Sequence, residues 1–307
     1  MVDREEVCVL LPTLDEAATI ESVVEGFRSE GFENVLVIDG GSSDGTAELA
    51  EAAGARLIEQ SGSGKGQAIR EALTHIEAPY VLMADGDGTY RPEDAHRMLE
   101  PLGDGYDHVI GNRFADMEPG AMSRLNAVGN RLINQSFAFV HGREFRDILS
   151  GYRAFTRESA ERATLAADGF GIETELAVDC ARRDVPTAVV PIRYEARPDG
   201  SDTNLHPIRD GAVILLTLYR LAKTNNPLFY FGSVGILSAV TGVAIAGYVG
   251  YRWFVHGVSH EVLAVVASFA ILFGVQLVMF GVLSDLIVTL HREQMRRIND
   301  DDGNDRW

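Results

Sequence analysis

Two carboxylates one residue apart, Asp85 and Asp87, follow the apolar run Tyr80 to Ala84 with Gly86 between them. Such a run reads as a buried strand. Side chains alternate along extended backbone, so both carboxylates leave its C-terminal end roughly on one side. A pair of this kind suits a hard divalent cation. Mg²⁺ takes one or two carboxylates and fills its shell with substrate phosphates and water. The pattern points to a diphosphate-bearing substrate; the plain alternative is a surface Asp-Gly turn in an acid-rich chain.

Four further segments carry chemistry. Pro12-Thr13-Leu14-Asp15-Glu16 follows a first apolar run, with Pro12 expected to end that strand and Asp15 to cap the next helix. Its acids could instead reach a ribose or a base. Asp39-Gly40-Gly41-Ser42-Ser43-Asp44-Gly45-Thr46 follows a second run. Its glycines let the backbone turn sharply beside a ligand, Asp39 could accept from a base or sugar hydroxyl, and Asp44 is a plausible N-cap. Ser61-Gly62-Ser63-Gly64-Lys65-Gly66 looks like a P-loop but fails, because Glu59 stands where the first Gly belongs and Gly66 where Ser or Thr belongs. Lys65 could still touch phosphate or substrate. Arginines at 113, 124, 153 and 197 suit bidentate phosphate contacts, although a surface charge explains any one of them.

The elements that must position these residues alternate. Residues 7–11, 35–38, 56–58, 80–84 and 108–110 read as strands; residues 16–29, 45–53, 66–76 and 92–102 read as helices. That alternation predicts an α/β domain with a mostly parallel sheet, whose ligands bind beyond the carboxyl ends of the strands.

Composition sets the surroundings. Of 27 bases against 45 acids (net charge −18), lysine appears at Lys65 and Lys223 alone. High acid content with arginine in place of lysine fits a salt-rich cytoplasm, where screening relieves self-repulsion, and it argues against nucleic acid as a partner. Cys8 and Cys180 lie in apolar stretches and read as packed free thiols, without a zinc-ligand pattern. The charged start, Met1 to Glu6, lacks the apolar core of a signal peptide.

Residues 228–251 and 262–284 carry no charge. Each is long enough as a helix to cross a hydrocarbon core about 30 Å thick. The organisation expected is a cytoplasmic domain over 1–206, an amphipathic interfacial segment over 207–227, two spans over 228–251 and 262–284 joined by a short external loop (252–261), and a cytoplasmic tail over 285–307 whose acid run Asp300-Asp301-Asp302 and final residues form a solvated, disordered end. Arg292, Arg296 and Arg297 after the second span, with Arg220 and Lys223 before the first, place both ends in the cytoplasm.

The ordered set Pro12-x-x-Asp15-Glu16, Asp39-Gly-Gly-Ser-x-Asp44-Gly-Thr46, Gly64-Lys65-Gly66, Asp85-x-Asp87, Gly111-Asn-Arg113, Asp147-x-x-Ser150-Gly-Tyr-Arg153 and Arg197-x-x-Gly200 resembles family 2 glycosyltransferases, more narrowly the dolichyl-phosphate mannose and glucose synthases. The match runs over roughly residues 7–205. It implies a GT-A nucleotide-binding fold and an inverting transfer of a hexose from a nucleotide sugar to dolichyl phosphate, at the start of lipid-linked glycan assembly for surface-layer N-glycosylation. UDP-glucose is the first choice of donor and GDP-mannose the second. The resemblance implies donor contacts for Pro12, Asp15, Glu16, Asp39, Asp44, Lys65 and Asp85. It implies a divalent metal, Mg or Mn, on Asp85 and Asp87 with Thr89 near it, and acceptor-phosphate contacts for Arg113, Arg124 and Arg197. Asp87 and Arg113 are the expected catalytic pair. Four positions depart from the family pattern: Asp15 replaces Asn, Thr89 replaces a commoner Gln, Val128 replaces Ser, and Asn204 replaces a Lys.

Three rival readings share parts of this pattern. A processive polysaccharide synthase would carry Gln-x-x-Arg-Trp, a string the chain lacks. A nucleotidyltransferase would carry a Gly-rich loop after the first strand. A non-catalytic nucleotide-sugar-binding membrane scaffold would bind donor without turnover.

Overall fold

The computed structural model describes residues 2–163, 165, 171–198 and 227–304. Asn204, Gly200 and the interfacial segment expected over 207–227 lie outside the described residues, apart from Pro227. The chain divides into two units, Met1–Thr217 and Leu218–Trp307.

The first unit is a seven-stranded sheet: β1 (Val7–Thr13), β2 (Val35–Asp39), β3 (Arg56–Glu59), β4 (Tyr80–Met83), β5 (His108–Met117), β6 (Arg153–Thr156) and β7 (Thr187–Tyr194). The spatial order is β3-β2-β1-β4-β6-β5-β7. All neighbours are parallel except β6, which runs antiparallel to both β4 and β5. Helices α1 (Ile20–Ser29), α2 (Thr46–Ala52), α3 (Lys65–Leu73), α4 (Ala95–Gly103), α5 (Arg124–His141), α6 (Arg157–Glu161) and α7 (Ile172–Arg183) cover it. β1 and β2 are buried along their whole length. Val7, Val9 and Leu11 enter one core cluster and Cys8 and Leu10 the other, as expected of a strand covered on both faces. α1 meets the sheet through Ile20, Val23, Val24 and Phe27, the i, i+3, i+4, i+7 stripe of an amphipathic helix. Cys8 and Cys180 are buried free thiols, and burial pushes the Cys8 thiol up to about 12.

Pro12 does not end β1, which runs on to Thr13. Leu10 turns its carbonyl to the β4 side, where it accepts from the Ala84 amide at 3.1 Å. Pro12 shares that side by alternation, but the β4 pairing stops at Leu10↔Met83, so its missing N–H leaves no ladder bond unmade.

The register gathers the site. Thr13↔Asp39 and Leu10↔Met83 bring the carboxyl ends of β1, β2 and β4 to one edge. The antiparallel β6 starts at that edge, with Arg153 opposite both Met83 and Ile110. The residues after β4, before β6, along β5 and after β7 therefore meet there.

In the second unit α8 (Pro227–His256) and α9 (Glu261–Asn304) are helices long and apolar enough to cross a membrane, with mean hydropathy reaching 1.9 over an 18-residue window of α8 and 2.5 over one of Glu261–Leu290. They pack closely at Gly235, where an added Cβ would lie 2.6 Å from the Gly274 carbonyl oxygen. The acid run Asp300-Asp301-Asp302, expected to be disordered, instead continues the helix to Asn304, because no Gly or Pro interrupts the sequence between Asp285 and Asp302.

Candidate active site

The loops after β1 and β2 are zipped together. The Asp15 amide donates to Ser42 Oγ and the Ser43 amide to Asp15 Oδ1, both at 2.8 Å. The Glu16 amide donates to Thr46 Oγ1 at 2.8 Å and the Ala17 amide to Asp44 Oδ2 at 3.0 Å. Asp39 folds its own loop: Oδ2 accepts from the Gly41 and Ser42 amides at 3.0 and 2.8 Å, and Oδ1 from Ser42 Oγ at 2.5 Å. Asp44 accepts from the amide and hydroxyl of Thr46. Desolvation raises its pKa, but the bonds from Thr46 and Ala17 outweigh that and hold the carboxyl below its ordinary value. Asp15, at φ 55, caps no helix: α1 begins later, after Thr19. The structure thus brings Pro12, Asp15, Glu16, Asp39 and Asp44 to one edge, with the three aspartates engaged in holding the loops.

The β4 end is charged and cross-linked. Lys65 Nζ stands 2.5 Å from Asp85 Oδ1 and 2.6 Å from Glu173 Oε1. Burial works against the ammonium, but the two carboxylates outweigh it and hold its pKa above that of an ordinary lysine. Asp85 lies against Gly151, where an added Cβ would sit 2.6 Å from Oδ2; a side chain at 151 would displace the carboxylate. Asp87 accepts from Thr89 Oγ1 at 2.6 Å and from Arg197 Nη2 at 2.6 Å, and Arg197 Nη1 is 3.6 Å from Glu16 Oε1.

Arg113 is buried and paired bidentately with Asp147, Nε to Oδ2 and Nη2 to Oδ1, both 2.8 Å. Its guanidinium carbon lies 5.4 Å from the Tyr194 ring centroid. Arg153, fully buried, donates to the carbonyls of Ser150 (3.0 Å), Ile148 (2.6 Å) and Glu173 (2.9 Å) and contacts His108 Nε2 at 3.1 Å. Those carbonyls flank Asp147, Gly151 and Glu173, so one guanidinium ties together the backbone that presents all three. Arg124 is not gathered here: it is the exposed first residue of α5, and its side chain makes no hydrogen bond or ion pair among the described residues.

Glu173 escaped the sequence reading. Its one signal is indirect, a rare lysine that needs a partner. Arg153 and Gly151 were visible inside a motif, but their contacts were not.

The donor set suits a hard cation. Asp85 Oδ2 accepts no hydrogen bond among the described residues, and Asp87 adds a second carboxylate. No ready-made cage of three or more His, Cys, Asp or Glu side chains occurs among the described residues. Two carboxylates would leave most of the shell of such a cation to phosphates and water, as Mg²⁺ prefers.

Residues 8–163 match the family described as Glycosyl transferase family 2. The chain is 68% identical over 301 residues to glycosyltransferase AglJ of Haloferax volcanii, covering 98% of this chain and 99% of that protein. It is 34% identical over 214 residues to a dolichyl-phosphate hexose transferase of the same organism, covering 68% of this chain and 91% of that one. Its fold is similar to glucosyl-3-phosphoglycerate synthase of Mycobacterium tuberculosis, solved with Mn²⁺, UDP-glucose and phosphoglyceric acid (TM-score 0.58, 25% identity, covering 70% of this chain and 79% of that one). On the sequence match, the sheet order and the site at its carboxyl edge, the chain belongs to glycosyl transferase family 2 and is a glycosyltransferase.

Proposed function

We propose that the chain transfers a hexose from a nucleoside diphosphate sugar, UDP-glucose first and GDP-mannose as the alternative, to dolichyl phosphate, starting lipid-linked glycan assembly for surface-layer N-glycosylation. The observation that carries this reading is Asp85, held by Lys65 at the strand edge with one carboxylate oxygen left open. The names of the relatives AglJ and dolichyl-phosphate hexose transferase support the acceptor class, and the Mn²⁺ and UDP-glucose complex of the structural neighbour supports the donor.

In this reading Asp85 and Asp87 hold a divalent cation, Mg or Mn, which when bound offsets charge on the departing nucleoside diphosphate. Lys65 and Glu173 fix the Asp85 carboxylate, while Pro12, Glu16 and the zipped loops shape the nucleoside end. An acceptor phosphate oxygen attacks the anomeric carbon as the bond from that carbon to the donor diphosphate breaks, giving inversion in a single displacement. That oxygen is ionised at neutral pH, so no general base is required. Arg113, positioned by Asp147, and Arg197 offset repulsion between the two anionic substrates.

The outward face of α5 supports a lipid-borne acceptor. Of the large apolar side chains exposed among the described residues up to 198, Leu125, Val128, Leu132 and Phe139 all stand on α5; the others are Leu14 and Tyr106. Arg124 and Arg131 share that face, and no acid occurs between Glu118 and Glu144 in this acidic chain. An apolar stripe flanked by arginines suits a bilayer surface. With α8 and α9 as anchor, the catalytic domain and both termini on the cytoplasmic side, and domain limits as read from the sequence, tethering raises the local concentration of the lipid phosphate.

The test is direct. Membranes carrying the chain are supplied with dolichyl phosphate and labelled UDP-glucose or GDP-mannose, and the lipid product is identified. A glucosyl lipid with inverted anomeric configuration is expected; donor binding without product would support the scaffold reading instead.

A further inference from the structure

Both oxygens of Asp87 are engaged. Oδ1 accepts from the Thr89 amide at 3.1 Å and hydroxyl at 2.6 Å, and Oδ2 accepts from Arg197 Nη2 at 2.6 Å. Asp85 differs in keeping Oδ2 open. Thr89 is buried and bonded within the same turn as Asp87, whereas Arg197 enters from the segment after β7 and its side chain is 29% exposed. A cation that takes Asp87 as a ligand must therefore take Oδ2 from Arg197, because two positive groups on one oxygen repel strongly in a partly desolvated cleft. Until then the guanidinium meets a definite need. The Asp87 and Glu16 side chains are 5% and 11% exposed, and buried carboxylates require a counter-cation.

We infer that Arg197 is an exchange cation: it compensates Asp87 and Glu16 until a divalent metal displaces it, and the released guanidinium then binds the acceptor phosphate. The inference rests on the metal and acceptor assignments proposed above. It makes the two substrates interdependent. Metal and donor load first, and the phosphate monoester follows. Because the coupling is an equilibrium property, metal strengthens phosphate binding by the same factor as phosphate strengthens metal binding.

The full-length chain in detergent micelles is titrated with Mn²⁺ alone, read by electron paramagnetic resonance of the free ion, and with dodecyl phosphate as a soluble monoester. Arg197→Gln is expected to bind Mn²⁺ about tenfold more tightly than the parent, the factor by which a competent state populated one time in ten reduces an apparent affinity. Arg197→Lys is expected to fall between them. In the parent, Mn²⁺ tightens dodecyl phosphate binding; in Asp87→Asn, which removes the carboxylate charge that holds Arg197 Nη2, the monoester binds more tightly than in the metal-free parent and Mn²⁺ adds nothing. Equal Mn²⁺ affinity in the parent and Arg197→Gln overturns the exchange and leaves the metal assignment standing. If no variant nor the parent binds Mn²⁺, the metal assignment fails and the exchange with it.

Discussion

Glu173 Oε1 lies 2.6 Å from Lys65 Nζ, and the same ammonium lies 2.5 Å from Asp85 Oδ1, so a glutamate in the first turn of α7 acts on the β4 carboxylate through the lysine between them. With Glu173 neutralised, the ammonium pairs undivided with Asp85 and competes harder with any other cation for it. Glu173→Gln is expected to lower kcat/KM for donor about tenfold, the scale of one charge-assisted hydrogen bond, with Mn²⁺ affinity falling in parallel. Unchanged Mn²⁺ affinity in a folded variant would show that the glutamate merely supports the helix.

Asp87→Ala is expected to abolish lipid-linked sugar formation while the chain still enters the membrane. Labelled donor and dolichyl phosphate report the first, and carbonate-resistant sedimentation the second. Near-parental turnover would remove Asp87 from the reaction.

Breaking the Arg113–Asp147 pair exposes a different weakness. Both side chains are buried, and removing one partner leaves a desolvated charge. Asp147→Asn is expected to cost about 3–5 kcal/mol of stability, measured by denaturant unfolding of the catalytic unit. In an Arg113→Met background Asp147→Asn is expected to cost less than it does in the parent, because the second change then removes no partner, and a double-mutant cycle reads that difference.

His108 is buried, and burial first, then the neighbouring Arg153 charge, holds its pKa well below the ordinary 6.5. The unfolded chain therefore binds a proton near pH 6.5 that the native chain refuses. Native stability contributed by this group is complete above that pH and falls as pH drops through it, by at most about 1.4 kcal/mol per pH unit. His108→Gln, which keeps an acceptor for Arg153, is expected to flatten the slope below pH 6.5 in unfolding titrations. A slope identical to the parent's would assign it to other groups.

Leu125→Glu with Leu132→Glu places acids on the outward face of α5. The doubly substituted chain is expected to keep its circular dichroism and its KM for donor while KM for dolichyl phosphate in vesicles rises about tenfold or more, since two apolar side chains lose a bilayer contact each. An unchanged acceptor KM would leave that face without a lipid role.

The sheet from β1 to β5 was legible because each strand there is announced by an apolar run between turn residues. β6 and β7 were not. β6 is four residues long and opens on Arg153, a charge that reads as surface but is wholly buried, and β7 contains Pro191 and is mostly half-buried. The chemistry was legible as residue types at strand ends. Which carboxylate faces which cation was not, because Lys65, Asp85 and Glu173 come from three distant segments. Asp39 shows another limit: its type and place suggested a ligand contact, and the bonds its oxygens accept from the Gly41 and Ser42 amides and the Ser42 hydroxyl were not visible in the sequence.

Scarcity of lysine turns the Lys65 clamp into a built-in reporter. Apart from the N-terminal amine, the chain offers amine-selective acylating reagents two side chains, Lys65 and Lys223, and an ammonium gripped by Asp85 and Glu173 is a poor nucleophile. Mass spectrometry of acylated peptides can thus follow opening of the catalytic edge in native membranes, with no probe engineered into the chain.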